Sequence, residues 1–573
     1  MENSPDIRKQ ILEADGHLLV LGGPGSGKTT IALLKAAHEI QSGRLDRGQK
    51  ILFLSFARAT IARVIEHACK LIPTGNSNAI EINTYHGFIW NLVRSHGYLI
   101  CPHRPIRLLT PADAASRLAH VDGSARAEML QEIFEREGIL GFDLFAPLAS
   151  ELLRRCKALL SIISDAYPII IVDEFQDTNQ DEWDVIQLLG QKSRIIALAD
   201  AEQRIYEFRG ADPARIGEFI KAYSPAQFDF GNENNRSNGT DIVAFGNDLL
   251  KGSHRGKLYN DVEICSYGFY KGLHFAFLLK AKVMDGIKRL TGASIPKWSI
   301  AILVPTKRMM LAVSDCLTLT ERGLPLLHHE VAIEQEALAL SAVALARLLE
   351  GGADKNRLSR ELLSDVIAHV RGRRGNDTPS RADLELTDAL NEFLRSGNVR
   401  GKKRTAVVSE VMRIVEVRMT LALSGDPGAD WLEVRRLLNE SSSECIVNVA
   451  DDAKYLRLLN KGATLRERLN ELWRRNGSYV GATTEIQNAL VQEHFTASTR
   501  EWSGIHVMTI HKSKGKEFDE VFIFEGYKQG KLVRVNAGQK EVAQAFLALR
   551  VAVTRAKRRV TILSPGNEKC ALL

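Results

Sequence analysis

The sequence lacks the features of membrane proteins and of disulfide-rich proteins. Among its 573 residues no apolar run approaches the roughly 18 residues expected of a membrane-spanning helix. The first residues, Met1–Asp6, show no basic and then apolar segment, so we expect no secretory signal. The seven cysteines are scattered without a C-x-x-C pair, which favours a reducing compartment and argues against a zinc or iron–sulfur site. These absences predict a cytoplasmic protein without a membrane partner.

The composition is that of a large globular protein. Hydrophobic residues make up 45% of the chain and charged residues 25%. A chain of 573 residues is too long for one hydrophobic core, so we expect three or four subdomains. The net charge of +7 permits a polyanionic partner without identifying one.

A glycine-rich stretch near the start of the chain carries the first specific chemistry. Its residues are Gly22, Gly23, Pro24, Gly25, Ser26, Gly27, Lys28, Thr29 and Thr30. An apolar run precedes it and a helical pattern follows it, which is the context that G-x-x-x-x-G-K-[ST] requires. In such a loop the backbone N–H groups and the helix N-terminus attract phosphate oxygens. We expect Lys28 to reach the β- and γ-phosphates and Thr29 to ligate Mg²⁺.

Two acidic residues follow a second apolar run. The segment Pro168–Val172 is typical of a buried strand in a parallel sheet, and Asp173 and Glu174 come directly after it. We predict that Asp173 holds Mg²⁺ and that Glu174 orients and deprotonates the attacking water. A solvated acidic pair at a strand end is the alternative for these residues taken alone. The glycine-rich stretch upstream, Gly22–Thr30, is a P-loop, and its presence favours the catalytic interpretation.

Strand-like and helix-like segments alternate in two parts of the chain, and each part is interrupted by a mainly helical stretch. Such alternation indicates parallel α/β sheets. The predicted divisions are a first sheet domain at 1–90 plus 167–222, a helical insertion at 91–166, a second sheet domain at 223–334 plus 496–573, and a second insertion at 335–495.

Six stretches, the P-loop included, together resemble the UvrD/Rep/PcrA family of superfamily 1 DNA helicases and occur in the family's order. The other five are Asp173–Asn179, Gln203–Ala211, Asn234–Ser237, Thr509–Phe518 and Val551–Ala556. The resemblance implies an α/β fold with two RecA-like P-loop domains, each carrying a parallel sheet and a mainly helical insertion. It also implies that ATP binds between these domains and that the protein moves 3′ to 5′ on single-stranded DNA.

The resemblance assigns roles to residues on both sides of the nucleotide. Arg236 and Arg555 match arginines that reach the γ-phosphate from the second domain, and Gln203 matches a glutamine that senses this phosphate. Glu517 matches a contact to the nucleotide sugar, with a solvated carboxylate as the alternative. An arginine supplied by a mobile partner is worth about 10³–10⁵ in rate, so hydrolysis would depend on closure of the cleft.

A second set of residues matches positions that bind the DNA strand. These residues are Phe56, Thr84, His86, Tyr206, Phe208 and Arg209. Stacking of bases on aromatic side chains tolerates any sequence and is worth roughly 1–3 kcal/mol per base. For Phe56 and Phe208 the alternative is packing in the core, and for His86 it is a structural role.

The chain departs from the family at the residues that read adenine and in the fifth motif. The family's upstream glutamine corresponds to a place near Ile7, with Gln10 three residues away, and the adenine-stacking tyrosine is Asn235. We therefore expect relaxed base selectivity. Lys516 stands where the fifth motif has an apolar residue.

The sequence thus predicts an ATP-dependent DNA helicase with ATP and Mg²⁺ as cofactors. Its expected partner is single-stranded DNA or a duplex with a single-stranded overhang. The main alternative is a DNA-sensing, nucleotide-hydrolysing subunit that activates a partner nuclease, as in anti-phage systems of the Gabija type. A P-loop scaffold without a role on nucleic acid is a third interpretation.

Overall fold

The computed structural model describes most of the chain. The residues it leaves undescribed are 1–6, 57, 73–77, 103, 122–123, 201–213, 232–235, 269–273, 321–322, 332–334, 376–377, 454–462, 496–501, 528–529, 535–536 and 568–569. None of the described helices combines the length and the apolar character that a bilayer crossing requires.

The described strands form two large sheets in which every neighbouring pair is parallel, and one short parallel pair. The strands are β1 (Leu18–Leu21), β2 (Ile51–Ser55), β3 (Ile80–Thr84), β4 (Arg107–Leu108), β5 (Ile139–Leu140), β6 (Ile169–Val172), β7 (Arg194–Ala199), β8 (Ala226–Asp229), β9 (Val262–Tyr267), β10 (Ser299–Val304), β11 (His329–Val331), β12 (Gly504–Thr509), β13 (Phe518–Phe524) and β14 (Ala556–Pro565). The first sheet has the order β3-β2-β6-β7-β1-β8 and the second β11-β12-β10-β13-β14-β9. Central strands such as β2, β6 and β10 are buried along their whole length, because helices cover both faces of a parallel sheet.

Helices connect these strands and build the remainder of the chain. They are α1 (Ile7–Glu13), α2 (Lys28–Gln41), α3 (Arg58–Leu71), α4 (Tyr85–His96), α5 (Pro111–Arg117), α6 (Ser124–Glu137), α7 (Phe145–Arg155), α8 (Lys157–Ala166), α9 (Gln180–Gly190), α10 (Arg215–Tyr223), α11 (Ile242–Lys251), α12 (Phe277–Gly292), α13 (Lys307–Thr318), α14 (Gln335–Glu350), α15 (Lys355–Gly372), α16 (Arg381–Ser396), α17 (Lys402–Thr420), α18 (Pro427–Asn439), α19 (Glu444–Ala453), α20 (Ala463–Asn476), α21 (Ala482–Phe495) and α22 (Gln539–Val553).

The chain forms two compact units. The first comprises Met1–Asn91, Ala146–Ile333 and Ala497–Leu573, and it contains both six-stranded sheets. The second comprises Leu92–Phe145 and Glu334–Thr496, and it is mainly helical. Within this helical unit the two inserted segments pack on each other, because α5 of the first contacts α14 and α15 of the second.

Strand β8 lies after the predicted boundary between the two sheet domains at residue 223. Strand β8 pairs in parallel with β1, with Leu18 opposite Ala226, and so extends the first sheet. The second sheet ends instead, next to β14, at the edge strand β9, which the sequence analysis did not identify. Helices α7 and α8 group with the sheets rather than with the insertion predicted over 91–166. The short segment Ala226–Asp229 carries no pattern that indicates which sheet it joins, so only the pairing assigns it.

A buried ion pair anchors the helix that follows the P-loop. Lys35 of α2 is fully buried, lies 2.8 Å from Glu39, and donates to the carbonyl oxygens of Leu12 and Ala14 at the end of α1. Glu39 also accepts a hydrogen bond of 3.0 Å from Arg194 at the start of β7. These contacts fix α1, α2 and β7 to one another and hold the P-loop helix in place.

The contact between the two inserted segments gives a test of the fold. A Cβ added at Gly372, the last residue of α15, would lie 3.1 Å from the Ser116 nitrogen and 3.3 Å from the Ala112 oxygen of the neighbouring segment. We expect Gly372→Leu to push α5 away from α15 and to destabilise the helical unit by about 1–3 kcal/mol. Hydrogen exchange in α5 measures this effect, and we expect protection to be lost there. Gly352→Leu is the matched control, because a Cβ at Gly352 meets nothing within 4 Å. Equal protection of α5 in both variants would contradict the packing described.

Candidate nucleotide-hydrolysis site

The P-loop and the acidic pair lie at the same edge of the first sheet. Strands β1 and β6 both pair in parallel with β7, which runs between them. Their carboxyl ends therefore point the same way, and ligands of parallel α/β sheets bind at this edge. Since neighbouring strands are about 4.8 Å apart, the residues that follow β1 and β6 begin on the order of 10 Å from each other.

The P-loop owes its shape to glycine. Gly25 and Gly27 have φ angles of 79° and 94°, in the left-handed region that glycine adopts without strain. A Cβ at Gly22 would lie only 2.7 Å from the Ser26 hydroxyl oxygen and 3.1 Å from Phe230. The loop can therefore curl tightly and lie close to its neighbours only with these residues.

The remaining loop residues lead into α2. Pro24 and Ser26 are buried, Gly23 and Thr29 are half-buried, and Thr30 is exposed. The Lys28 ammonium folds back over the loop and donates to the carbonyl oxygens of Gly22 at 2.6 Å and Gly23 at 3.0 Å. These contacts hold the cation beside the loop whose N–H groups are expected to face phosphate.

Asp173 and Glu174 occupy a tight turn after β6. Asp173 is buried and accepts a hydrogen bond of 3.1 Å from the Glu174 nitrogen. Glu174 has φ 55° and ψ 38°, a left-handed conformation that is strained for a residue other than glycine. Gln176 donates to its carboxylate at 2.6 Å and accepts at 3.0 Å from the nitrogen of Asp200, directly after β7. The Glu174 carboxylate is thus oriented by a glutamine that is itself anchored to the next strand.

The two acids differ in their electrostatic surroundings. Burial raises the pKa of Asp173, and the adjacent Glu174 charge raises it further, against the opposing effect of Lys28. Burial also acts to raise the pKa of Glu174, but the charges of Lys514 and Lys28 and the hydrogen bond from Gln176 together lower it. The surroundings of Glu174 therefore favour its ionised form, which the predicted role of general base requires.

The donor atoms at this edge fit Mg²⁺. Asp173 and Thr29 offer a carboxylate and a hydroxyl, the hard oxygen ligands that this ion prefers. A cation beside Asp173 would offset the cost of burying its charge. In the part of the chain that the structure describes, no group of three or more His, Cys, Asp or Glu side chains forms a separate metal site. Mg²⁺ usually keeps waters and substrate phosphates as ligands, so few protein ligands suffice.

Lys514, to which the sequence analysis assigned no role, reaches this turn from the second sheet. It follows the 3-10 turn His511–Ser513 after β12, and its side chain is buried. Its ammonium donates to Asp177 Oδ2 and lies 4.0 Å from Glu174 Oε2. Burial raises the pKa of Asp177, whereas Lys514 lowers it. A cation of the second sheet thus neutralises carboxylates that follow β6 of the first.

The two predicted arginines lie on the side of the site that the second sheet builds. Arg236 pairs with Glu517 at 2.6 Å and donates to the Thr554 carbonyl at 3.0 Å. Arg555 is buried and donates to the Val551 carbonyl at 3.0 Å. Its charge is among those that lower the pKa of Glu174. Glu517 is engaged by Arg236 rather than simply solvated.

Three of the predicted DNA-binding residues lie at or just after the carboxyl ends of β2 and β3. The Phe56 ring stacks on Tyr85, with centroids 5.1 Å apart and planes at 15°. Thr84 is buried, and its hydroxyl accepts a hydrogen bond of 2.9 Å from the Gly87 nitrogen in the first turn of α4. His86 is half-buried. The structure therefore gives Phe56 and Thr84 a local packing or capping role and leaves their contact with DNA a prediction.

Several predicted residues fall outside the described part of the chain. These are Gln203, Tyr206, Phe208, Arg209 and Asn235. Their roles rest on the motif resemblance alone.

Comparison with known proteins assigns the chain to a family. The family model for the UvrD/REP helicase N-terminal domain matches residues 3–135 and 109–224, and that for the UvrD-like helicase C-terminal domain matches residues 437–565. The first match spans the P-loop and the Asp173–Glu174 turn, and the second spans Lys514 and Arg555.

Curated relatives agree with these matches. A probable DNA helicase II homolog of Rickettsia conorii is 23% identical, with 99% of this chain and 93% of the relative aligned. The DNA helicase II of Rickettsia typhi is 21% identical over 98% of this chain and 92% of its own length. The ATP-dependent DNA helicase PcrA of Staphylococcus aureus is 24% identical over 42% of this chain and 39% of its own length. With the phosphate loop, the acidic turn and the two sheets in the family's order, the chain belongs to the UvrD-like family of ATP-dependent DNA helicases.

Proposed function

We propose that this helicase hydrolyses ATP with Mg²⁺ at the described edge of the first sheet and moves 3′ to 5′ along single-stranded DNA. The observation that carries the proposal is the position of the Lys514 ammonium. It donates to the Asp177 carboxylate and lies 4.0 Å from Glu174 Oε2. It joins the segment after β12 of the second sheet to the acidic turn of the first. A change in the distance between the sheets would therefore alter the surroundings of the residue that activates water.

The residues of the first sheet bind the triphosphate and prepare the attacking water. Lys28 exchanges the carbonyl oxygens of Gly22 and Gly23 for the β- and γ-phosphates. Asp173 and Thr29 would hold Mg²⁺, which would neutralise charge on these phosphates. Glu174, oriented by its glutamine partner, takes the proton of the attacking water.

The residues of the second sheet stabilise the charge that develops on the γ-phosphate. The charge of Arg555 already lowers the pKa of Glu174. Arg236 reaches the phosphate by leaving Glu517 and the Thr554 carbonyl, and Glu517 then becomes available to the nucleotide sugar. Hydrolysis therefore requires the part of the chain built on the second sheet to approach the part built on the first.

We further propose that the sheet-bearing unit works as two RecA-like domains. The first is 1–90 with 167–222, extended by β8, and the second is the remainder of 223–334 with 496–573. Phe56, Thr84, His86, Tyr206, Phe208 and Arg209 form the strand-binding set. The structure offers no specific observation that favours a nuclease partner.

The experiment that tests the proposal compares hydrolysis with and without single-stranded DNA, and unwinding of duplexes with a 3′ or a 5′ tail. We expect stimulation by the strand and unwinding of the 3′-tailed duplex only. Unwinding of the 5′-tailed duplex would contradict the polarity. Stimulated hydrolysis without any strand displacement would instead favour the DNA-sensing subunit.

Removing the P-loop cation tests the phosphate contact. We expect Lys28→Ala to reduce hydrolysis to background, because the loop loses the charge that binds the β- and γ-phosphates. The measurement is steady-state release of phosphate at saturating single-stranded DNA. Lys9→Ala is the control, since Lys9 is an exposed lysine on the neighbouring α1. Substantial hydrolysis by Lys28→Ala would show that another group binds the triphosphate.

Removing Lys514 tests the link between the sheets. We expect Lys514→Ala to lower kcat by about 10–100-fold, because Glu174 and Asp177 lose a shared cation, while Lys514→Arg retains most activity. The pKa of Glu174 should rise once this lowering influence is gone. A base works only when deprotonated, so the acid limb of the pH–rate profile should move to higher pH. An unchanged profile with unchanged kcat would remove Lys514 from the mechanism.

The departures at the adenine-reading positions predict weak discrimination between bases. With asparagine at position 235 and no upstream glutamine in register, most binding energy should come from the triphosphate. We expect the preference for ATP over GTP in kcat/KM to stay below about a hundredfold, or roughly 2.7 kcal/mol. Hydrolysis measured with each nucleotide decides this, and a larger preference would point to an adenine contact elsewhere.

A further inference from the structure

Lys516 departs from the family pattern and has a defined environment. It stands where the fifth motif has an apolar residue, two positions after Lys514. Its ammonium lies 4.7 Å from the centroid of the Trp502 ring and donates to the Lys512 carbonyl oxygen. An ammonium over an indole face is the most favourable form of cation–π contact. Lys516 is thus held by Trp502 and by the Lys512 carbonyl, which flank strand β12 of the second sheet in the sequence.

The Trp502 ring is a firm support for this contact. It lies edge-on to His506 of β12 and to Phe518 of β13, with centroid distances of 4.9 and 5.7 Å. The Phe518 nitrogen donates to the Arg555 carbonyl at 3.0 Å. Lys516 is therefore connected to two strands of the second sheet and, through one of them, to the backbone of Arg555.

The same lysine closes the turn that carries Lys514. The Lys516 nitrogen donates to the Ser513 carbonyl at 3.0 Å, and its side chain reaches the Lys512 carbonyl. The Ser513 hydroxyl in turn donates to the Ile510 carbonyl at 2.7 Å. Lys514 lies between these bonds, so contacts of Lys516 help to close the turn that carries it.

We infer that Lys516 is a positioning residue, which locks the turn at 511–516 onto Trp502 so that Lys514 lies against Asp177 and Glu174. The inference rests on the proposed function, since it assumes that this contact serves hydrolysis. A direct contact with a DNA phosphate is the rival role for an added lysine in this motif, and the experiment separates the two.

The experiment measures kcat and KM for ATP at saturating single-stranded DNA in four test variants and one control variant of the full chain. We expect Lys516→Leu, which restores an apolar residue, to lower kcat about three- to tenfold with KM for ATP unchanged. Lys516→Arg should stay within about twofold, because guanidinium also binds indole faces. Trp502→Leu should reproduce the loss, and the double variant Lys516→Leu with Trp502→Leu should lose no more than either alone. Lys557→Leu is the matched control, an exposed lysine on β14.

Other outcomes overturn the inference. Unchanged kcat in Lys516→Leu would remove any positioning role. A silent Trp502→Leu, together with a weaker salt dependence of DNA binding in Lys516→Leu, would indicate a phosphate contact instead. If Trp502→Leu does not fold, Trp502→Phe replaces it and should show a smaller loss, because phenylalanine binds cations less strongly. Hydrolysis by the unsubstituted chain tests the proposed function separately, so failure of one is not confused with failure of the other.

Discussion

The ion pair between Lys514 and Asp177 is the contact on which the site depends. Asp173, Glu174 and Asp177 fall within one short turn, and all three are largely removed from water. Two like charges 4 Å apart cost about 4 kcal/mol at an effective dielectric constant of about 20, so such a turn needs cations nearby. Lys28 supplies one from the P-loop, and Lys514 and Arg555 supply others from the second sheet. The negative charge of the acidic turn is therefore balanced only when both sheets contribute cations.

This division of charge gives the two sheets different tasks. The first sheet holds the loop, the magnesium ligands and the base expected to act on the triphosphate, and the second holds the cations expected to reach its γ-phosphate. In the state described, Arg236 is engaged with Glu517 while Lys514 is engaged with Asp177. A bound triphosphate would compete for the arginine, because a phosphate carries more charge than a carboxylate. One event on the nucleotide can thus rearrange ion pairs on the opposite sheet, which is what a motor that couples hydrolysis to movement needs.

The central part of the fold was predictable because its signals are local. The buried strand predicted at Pro168–Val172 is confirmed as β6 (Ile169–Val172), since buried parallel strands are continuous apolar runs. The edges were not predictable in this way. Strand β9 is partly exposed and carries polar residues, so it has no such run, and the sheet to which β8 belongs follows only from its pairing with β1. Within the site, by contrast, the P-loop and the Asp173–Glu174 pair could be located in the sequence, because neighbouring residues alone define both motifs.

Lys514 and Lys516 show why the remainder of the site could not be predicted. Lys514 and Asp177 are separated by 337 positions, and no local pattern states that they meet. A lysine in place of an apolar residue at 516 suggests a weakened motif, because a buried ammonium without partners is costly. That cost is offset when an indole face and a carbonyl oxygen receive the charge, and Trp502 and Lys512 provide both. Trp502 is fourteen positions upstream of Lys516 and outside the motif. A departure from a family pattern therefore weakens a site only if the new side chain lacks partners, and in this chain the partners are present.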